Sequence, residues 1–207
     1  MDELPDVEIA VDGAVAEVRL HRPSARNAFS RSLMRQLTQA AERFRASTDI
    51  QAVILTGAET YFSAGADLAD PDRAQGVATR LQRRQVARLG PDLCQAWEDL
   101  EQVTIAAVEG YCIGGAAALA LAWGMVDSVT TTGGALVEAR AWAAKVAALP
   151  PIPVRMTKEA INAAAGALHR AASLMDRDQW MLTSETSDFA EGARAFFEKR
   201  EPKFRGD

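Results

Sequence analysis

The chain has 207 residues, of which 48% are hydrophobic and 25% charged, a balance typical of a soluble globular protein with one sizeable core. Its formal net charge of −5 argues against a general nucleic-acid binder, and the longest uncharged run, residues 110–126, is too short and too rich in alanine and glycine to predict a membrane span. We expect no signal peptide, because the N-terminus is acidic and lacks an apolar segment, and a cytoplasmic location, because two cysteines do not make a disulfide framework.

The first predicted elements are a β-hairpin and a helix. Residues 7–9 and 14–20 are β-like runs on either side of the turn-forming pair Asp12 and Gly13. Ser30 is a typical N-cap, and apolar residues at helical spacing predict a helix from Arg31 to about Arg45. This region is locally basic, which is consistent either with a solvated surface or with a cradle for a phosphorylated ligand; its arginines are Arg22, Arg26, Arg31 and Arg35.

Two later segments share one pattern, in which a buried strand is followed by a glycine turn and a helix. Residues 52–56 (AVILT) predict such a strand, and the loop 57–70 follows it, with a helix expected to start near Asp67. Residues 103–108 predict another strand, and after a turn at 109–111 an alanine-rich helix opens at Gly114 and Gly115.

Free backbone N–H groups at such junctions favour a negative oxygen. Two junctions in one chain would allow the N–H groups of Ala66 and Gly115 to meet at a single carbonyl oxygen, as an oxyanion hole requires. The alternative is that the glycines only let a helix pack closely on a sheet. Ser63 is not expected to be a nucleophile, because the G-x-S-x-G motif is absent.

The remainder of the chain is predicted to be mainly helical. A helix is expected over about 79–100, with an interruption at Gly90 and Pro91, and residues 125–129 read as a strand remnant before a linker at 130–134. Further helices are expected over 135–148, from Pro153 to about 172, over 174–183 and over 187–199.

Several separated stretches together resemble one known family. They are RPSARNAFS (22–30), AVILTGAETYFSAGADL (52–68), VTIAAVEGYCIGG (103–115), PPIPVRMTKEAINAA (150–164) and TSDFAEGARAFFEKREPKF (186–204). In type, order and approximate spacing they resemble the crotonase superfamily, also called the enoyl-CoA hydratase/isomerase family. The resemblance implies an α/β fold: a spiral of ββα turns, here shortened and covering residues 1–129, followed by a helical trimerisation region over residues 135–207.

The resemblance also implies a ligand and a site. The partner would be an acyl-CoA thioester, with coenzyme A as part of the substrate and no separate cofactor or metal, and the protein would be a homo-oligomer, a trimer or a dimer of trimers. The oxyanion N–H groups would come from Ala66 and Gly115, and Lys199 and Arg200 would reach the CoA phosphates. The implied substrate-binding residues are Arg26, Ala28, Ala64, Asp67, Leu68 and Gly114.

Two departures from the family pattern affect the expected chemistry. The position of a hydratase glutamate is taken by Ala118, and no P-E-x-x-L-G stretch carries the second glutamate, because several dozen residues are missing between Ala122 and Trp123. Each lost acid–base group typically forfeits about 10²–10⁴-fold in rate. Asp67, Glu109 and Glu138 are the carboxylates that could substitute, and each is expected to be structural or solvated.

Three functional classes follow from these observations. The chain is a CoA-thioester enzyme, a catalytically impaired CoA-binding homologue, or an oligomerising structural subunit. The loss of both glutamates favours the second class over hydratase activity, and the intact junctions at Ala66 and Gly115 disfavour the third. A nucleotide-phosphate enzyme is not expected, because neither the P-loop nor the G-x-G-x-x-G motif occurs.

Overall fold

The computed structural model describes residues 5–70, 79–121, 126–165, 183 and 185–206. The strands are β1 (Val7–Asp12), β2 (Val15–Leu20), β3 (Ala52–Thr56), β4 (Tyr61–Ser63), β5 (Val103–Ala107) and β6 (Tyr111–Cys112). The helices are α1 (Arg31–Arg45), α2 (Arg80–Ala87), α3 (Leu89–Glu98), α4 (Gly115–Leu121), α5 (Ala135–Ala147), α6 (Pro151–Ala165) and α7 (Ser187–Glu198), with a 3-10 turn at Pro23–Ala25. Within the described residues, no helix combines the length and the hydropathy needed to cross a bilayer.

The strands form a larger and a smaller sheet. The larger has the order β1-β2-β3-β5, with β1 antiparallel to β2 and the other neighbours parallel; the smaller pairs β4 with β6 in parallel. Along the chain, a strand of the larger sheet is followed by one of the smaller sheet and then by helix, first at β3–β4 and again at β5–β6–α4. This repetition confirms the expected α/β spiral of ββα turns.

Helices cover both faces of the larger sheet. Val53 and Leu55 of β3 face the core formed with α1 and α3, and the N-cap hydrogen bond from the Leu33 amide to the Ser30 hydroxyl starts α1 where the sequence predicts. Ala52 and Ile54, on the other face, contact α5. Strand β3 is therefore buried on both sides, which explains its uninterrupted apolar run. Helix α5 packs on the sheet although the sequence analysis groups it with the C-terminal region.

Some element boundaries differ from the prediction. The break between α2 and α3 lies at Arg88, and Gly90 and Pro91 lie inside the first turn of α3, where the missing N–H of proline has no intrahelical partner to lose. Asp67 lies just before a turn, and its carboxylate accepts a hydrogen bond from the Ala69 amide; residues 71–78, into which the helix expected near Asp67 would extend, lie outside the described residues. Residues 126–130 have no regular structure where a strand remnant is predicted, and most of the helix expected over 174–183 lies outside the described residues.

Glu109, two residues after β5, forms hydrogen bonds with the N-terminus of α5. Its carboxylate accepts hydrogen bonds from the backbone N–H groups of Ala135 (2.8 Å) and Gly133 (3.1 Å) at the start of the helix. These two hydrogen bonds lower the pKa of Glu109 from its ordinary value of 4.5. The residue therefore caps a helix and is not a free acid or base.

We expect Glu109→Gln to destabilise the protein at neutral pH, because the variant loses the negative charge at the helix N-terminus. A carboxylate whose pKa is lower in the folded state stabilises that state above its unfolded pKa and loses this effect as pH falls through the folded pKa. The difference in urea midpoint between wild type and variant should therefore be full at pH 7 and shrink below about pH 4.

Glu138→Gln is the matched control, since it removes the same charge from the first turn of α5, while among the described residues its carboxylate accepts from the Trp142 side chain (3.1 Å) and from no amide at the helix start; it should lower the urea midpoint less than Glu109→Gln. A Glu109→Gln midpoint equal to that of wild type at pH 7 would contradict the capping role.

Candidate functional site

The two glycine junctions touch each other because the strands before them are paired. The Ile113 amide donates to the Ser63 carbonyl at 3.2 Å, which extends the parallel pairing of β4 with β6. Gly65 has a φ of +83°, and a Cβ at this position would lie 2.6 Å from the carbonyl oxygen of Ile113 and 3.7 Å from the nitrogen of Gly114. Only glycine allows this approach, and it brings the loop of Ala66 against the loop of Gly115.

The backbone on either side of Ala66 is held by Phe29. The Phe29 amide donates to the Gly65 carbonyl at 2.7 Å, and the Asp67 amide donates to the Phe29 carbonyl at 3.1 Å. The Ala66 amide lies between these two bonds and donates to no atom of the described residues, and neither does the amide of Gly115, the first residue of α4. Ala66 and Gly115 are both exposed, so two N–H groups are available to a ligand.

The loop 22–30 forms the support under the Ala66 loop. Asn27 is 1% exposed; its side chain accepts from the Arg22 amide (2.9 Å) and donates to the Phe62 carbonyl (3.1 Å). The buried Ser63 hydroxyl donates to the Asn27 carbonyl (2.7 Å) and accepts from the Gly65 amide (3.1 Å). Ser63 is therefore a structural group, as the missing nucleophile motif indicates.

The sequence does not predict the structural roles of Asn27 and Ser63. Arg26 and Asn27 have φ values of +51° and +54°, and asparagine is among the few non-glycine residues enriched in this left-handed region. That preference is the one sequence signal that points to the loop conformation. The contacts of the two side chains depend on a neighbouring loop that lies more than 30 residues away in the chain.

The structure brings the predicted site residues together. The Ala64 amide donates to the Arg26 carbonyl at 3.0 Å, and so joins the two loops in which the substrate-binding residues were predicted. Ala28 is buried, Ala64, Asp67 and Leu68 are half-buried, and Arg26 and Gly114 are exposed. The six predicted substrate-binding positions and the two amides therefore lie on three adjoining loops.

Arg22 and Asp67 form an ion pair inside this cluster. Their side chains are 3.0 Å apart and only 20% and 9% exposed, and the Arg22 guanidinium also donates to the carbonyl of Ala28. Arg22 is thus committed to the protein, and the interpretation of this arginine as part of a phosphate cradle is wrong. The Asp67 carboxylate is likewise occupied and is not a free base.

None of the three carboxylates considered as substitutes for a family glutamate is free beside the two amides in the described part of the chain; Asp67 pairs with Arg22. Ala118 exposes a methyl group on α4, Glu109 caps α5, and Glu138 lies farther along that helix. A cavity of about 370 Å³ beside the start of α5 is lined by Glu109 and Arg140 and not by Ala66 or Gly115. The described part of the chain holds no cluster of histidine, cysteine or acidic side chains suited to a metal ion.

Arg200, in the C-terminal tail (residues 186–206), forms ion pairs within that tail. Arg200 pairs with Glu191 and Glu198, and its hydrogen bonds lower the pKa of Glu191 to about 2. Lys199 ends α7 in the left-handed conformation. Among the described residues, no hydrogen bond or ion pair joins this tail to the loops of Ala66 and Gly115.

Comparison with known proteins identifies relatives of this chain. The sequence model of the enoyl-CoA hydratase/isomerase family matches residues 10–122 and, as a second match, residues 116–207. A protein of Thermus thermophilus assigned as an enoyl-CoA hydratase is 31% identical over 252 aligned positions, which cover 93% of this chain and 98% of that protein. The 2,3-dehydroadipyl-CoA hydratase of Escherichia coli is 25% identical, with 90% of this chain and 93% of that protein covered.

The fold has counterparts among solved structures. The crystal structure of an enoyl-CoA hydratase from Mycobacterium avium subsp. paratuberculosis superposes with a TM-score of 0.83 over 97% of this chain and 98% of that one, at 19% identity. That likeness concerns the fold alone, whereas the family match covers nearly the whole sequence. On these grounds the chain belongs to the enoyl-CoA hydratase/isomerase family, the crotonase superfamily.

Proposed function

We propose that the protein binds an acyl-CoA thioester and holds its carbonyl oxygen between the N–H groups of Ala66 and Gly115. The observation that carries this proposal is the pair of exposed amides, on two glycine junctions that touch each other, which donate to no atom in the described part of the chain. Membership of a family whose relatives are CoA-thioester hydratases supports the choice of ligand. We further propose that the surrounding substrate-binding positions are those the sequence predicts, and that the protein acts in the cytoplasm.

Two converging donors would polarise the thioester carbonyl and stabilise an enolate oxygen formed from it. One donor of this kind typically contributes about 10²–10³-fold to a rate. The donors act on charge that develops during reaction, so they favour proton loss from the carbon next to the carbonyl whether or not hydration follows. Carbonyl polarisation is therefore the minimal activity that the site supports.

We propose that hydration of an enoyl thioester is impaired. Hydration needs a base to activate water and an acid to protonate the α-carbon, and Ala118 offers neither. The proposal that further residues are missing after Ala122 is supported by the family match, which is divided into residues 10–122 and 116–207. It is also supported by the Thermus alignment, whose 252 positions exceed the 207 residues of this chain.

The alternative function is that of a catalytically inactive CoA-binding protein or structural oligomer subunit. Loss of the acid and the base favours it, because an oxyanion hole alone leaves the proton transfers without a partner. The two functions differ in one property that can be measured. An enzyme exchanges the α-proton of a saturated acyl-CoA with solvent, and an inactive binder does not.

We expect the purified protein to unfold cooperatively and to be stabilised by butyryl-CoA, since a ligand that binds only the folded state raises its unfolding temperature. In heavy water it should exchange the α-proton of butyryl-CoA faster than the uncatalysed rate. Crotonyl-CoA should lose its conjugated thioester absorbance only slowly. Free coenzyme A, which has no thioester carbonyl, is the control ligand. An unchanged melting temperature with butyryl-CoA would contradict the proposed function, and rapid loss of crotonyl-CoA absorbance would contradict the impairment.

We expect Ala118→Glu to raise the hydration rate by up to about 10²-fold, since it returns one positioned carboxylate and the second remains missing. The position is exposed on α4, so the larger side chain requires no repacking. Ala117→Glu is the matched control, because it places the same charge about 100° around the helix. Equal rates for the two variants would show that Ala118 does not face the bound thioester.

We propose that the chain forms a homo-oligomer through its C-terminal helices. Helix α6 has no buried residue among its 15 and exposes Ile152, Met156 and Ile161 by 61–70%, and α7 exposes Phe196 and Phe197. Large apolar side chains exposed on neighbouring parts of a chain are typical of a subunit interface. A trimer or a dimer of trimers is the expected state.

Met156→Arg should lower the mass measured by light scattering toward that of a monomer, because a charge would be buried without a partner. Thr157→Arg, at an exposed polar position one residue along, should change the mass less. If wild type and both variants have the mass of a single chain, the oligomer proposal is wrong.

A further inference from the structure

Arg22 joins three segments at the back of the Ala66 loop. Its guanidinium lies 3.0 Å from the Asp67 carboxylate and 3.5 Å from that of Asp6, and it donates to the Ala28 carbonyl. Its backbone amide donates to the buried Asn27 side chain. These contacts place the arginine between the loop that carries Ala66 and the loop that supports it.

The contacts of Arg22 act on the backbone that orients the Ala66 amide. Ala28, which Arg22 holds by its carbonyl, precedes Phe29, and Phe29 is bonded to the residues on both sides of Ala66. Asp67, which Arg22 holds by its carboxylate, follows Ala66 directly. The direction of the Ala66 N–H therefore depends on two segments that Arg22 ties together.

The same ion pair sets the charge beside that amide. Because Asp67 adjoins Ala66, covalent geometry keeps its carboxylate within about 8 Å of the Ala66 nitrogen. An uncompensated negative charge at that distance would raise the energy of an oxygen that becomes negative at the amide. The Asp67 side chain is only 9% exposed, so solvent screens its charge weakly. The negative charge of Asp67 is therefore neutralised by Arg22, 3.0 Å away.

We infer that Arg22 is a positioning residue for the oxyanion hole: its ion pair with Asp67 orients the Ala66 amide and cancels the carboxylate charge beside it. The inference rests on the proposed function. It adds a role for a side chain that need not touch the ligand. It also explains why a carboxylate can stand next to a group that stabilises negative charge.

The test uses four variants and one spectroscopic signal. The infrared stretching frequency of butyryl-CoA labelled with ¹³C at the thioester carbonyl falls on binding when the carbonyl is polarised, and it is measured together with the rate of α-proton exchange. Arg22→Gln leaves Asp67 charged, Asp67→Asn removes that charge, and the double variant removes both. Arg19→Gln is the matched control, since Arg19 also pairs with a carboxylate (Glu17, 3.0 Å) and a carbonyl (Gly57, 3.1 Å), and the carbonyl lies at the start of the loop, nine residues before Ala66.

We expect Arg22→Gln to lose most of the frequency shift and to slow exchange about tenfold. The double variant should recover the part of both that depends on charge, because neither charge remains beside the amide. Asp67→Asn should keep more of the shift than Arg22→Gln, because the asparagine oxygen can still accept from Arg22 and carries no charge, and Arg19→Gln should keep the shift even if that variant is less stable. Recovery in the double variant is a result that a purely structural role for Arg22 would not produce.

A wild-type complex without a frequency shift would overturn the proposed function and this inference together. A wild-type shift that folded Arg22→Gln retains would overturn the inference alone, and so would failure of the folded double variant to recover. If Arg22→Gln does not fold, Arg22→Lys decides, since lysine keeps the positive charge but cannot make the three contacts of the guanidinium: a diminished shift supports the inference, and an undiminished shift overturns it.

Discussion

The parallel pairing of two very short strands is the constraint on which the candidate site depends. Strand β4 has three residues and β6 has two, yet their pairing lets the Gly65 loop lie against Ile113 and Gly114. A side chain at Gly65 would collide with the backbone of Ile113 and separate the two junctions. The spiral therefore places two amides at one edge through backbone geometry alone, and the chemistry requires no particular side chain at Ala66 or Gly115.

The loop 22–30, which supports the Ala66 loop, fixes the direction of the Ala66 N–H group. Asn27, Ser63 and Arg22 each bond to backbone atoms, and together they leave the Ala66 amide as the unpaired donor between two paired neighbours. Buried polar groups of this kind are costly unless they are all satisfied, so a change in one is transmitted to the others. Such a network suits an oxyanion hole, whose benefit depends on donors that do not reorganise when charge develops.

The end of the larger sheet is covered by a small contact with one helix. Among the described strands, β5 lies at one edge of the larger sheet, and α5 crosses the face of that sheet while Glu109 binds its first amides. Among the described residues, α5 is therefore held on this sheet by the Glu109 cap and by a small, alanine-rich cluster of buried side chains. Helix α6 is held differently: Lys158 donates to the carbonyls of Leu100 and Gln102 before β5, and burial lowers its pKa to about 8. The apolar faces of α6 and α7 remain exposed in the single chain.

Most of the larger elements and their order follow from local signals in the sequence, whereas the short strands β4 and β6 do not. The alternation in β2, the N-cap at Ser30, the uninterrupted apolar run of β3 and the glycines after β4 and β6 are local signals, and each predicted its element because it depends on neighbouring residues alone. The resemblance of motifs then identified the family and led to the proposal that Ala66 and Gly115 are the oxyanion donors. The alanine at position 118, where the family's hydratases carry a glutamate, could be recognised for the same reason, since it concerns one residue in a recognised motif.

The partners of the polar side chains became apparent from the fold alone. The sequence placed Arg22 in a basic region and Asp67 among the implied substrate-binding residues, and it predicted Glu109 to be structural or solvated. The structure gives each a distant partner: Arg22 and Asp67 pair with each other across 45 residues, and Glu109 accepts from the start of α5 across 26. A side chain's hydrogen bonds are set by whichever backbone or charge the fold brings within about 3 Å, and no spacing along the chain records that distance.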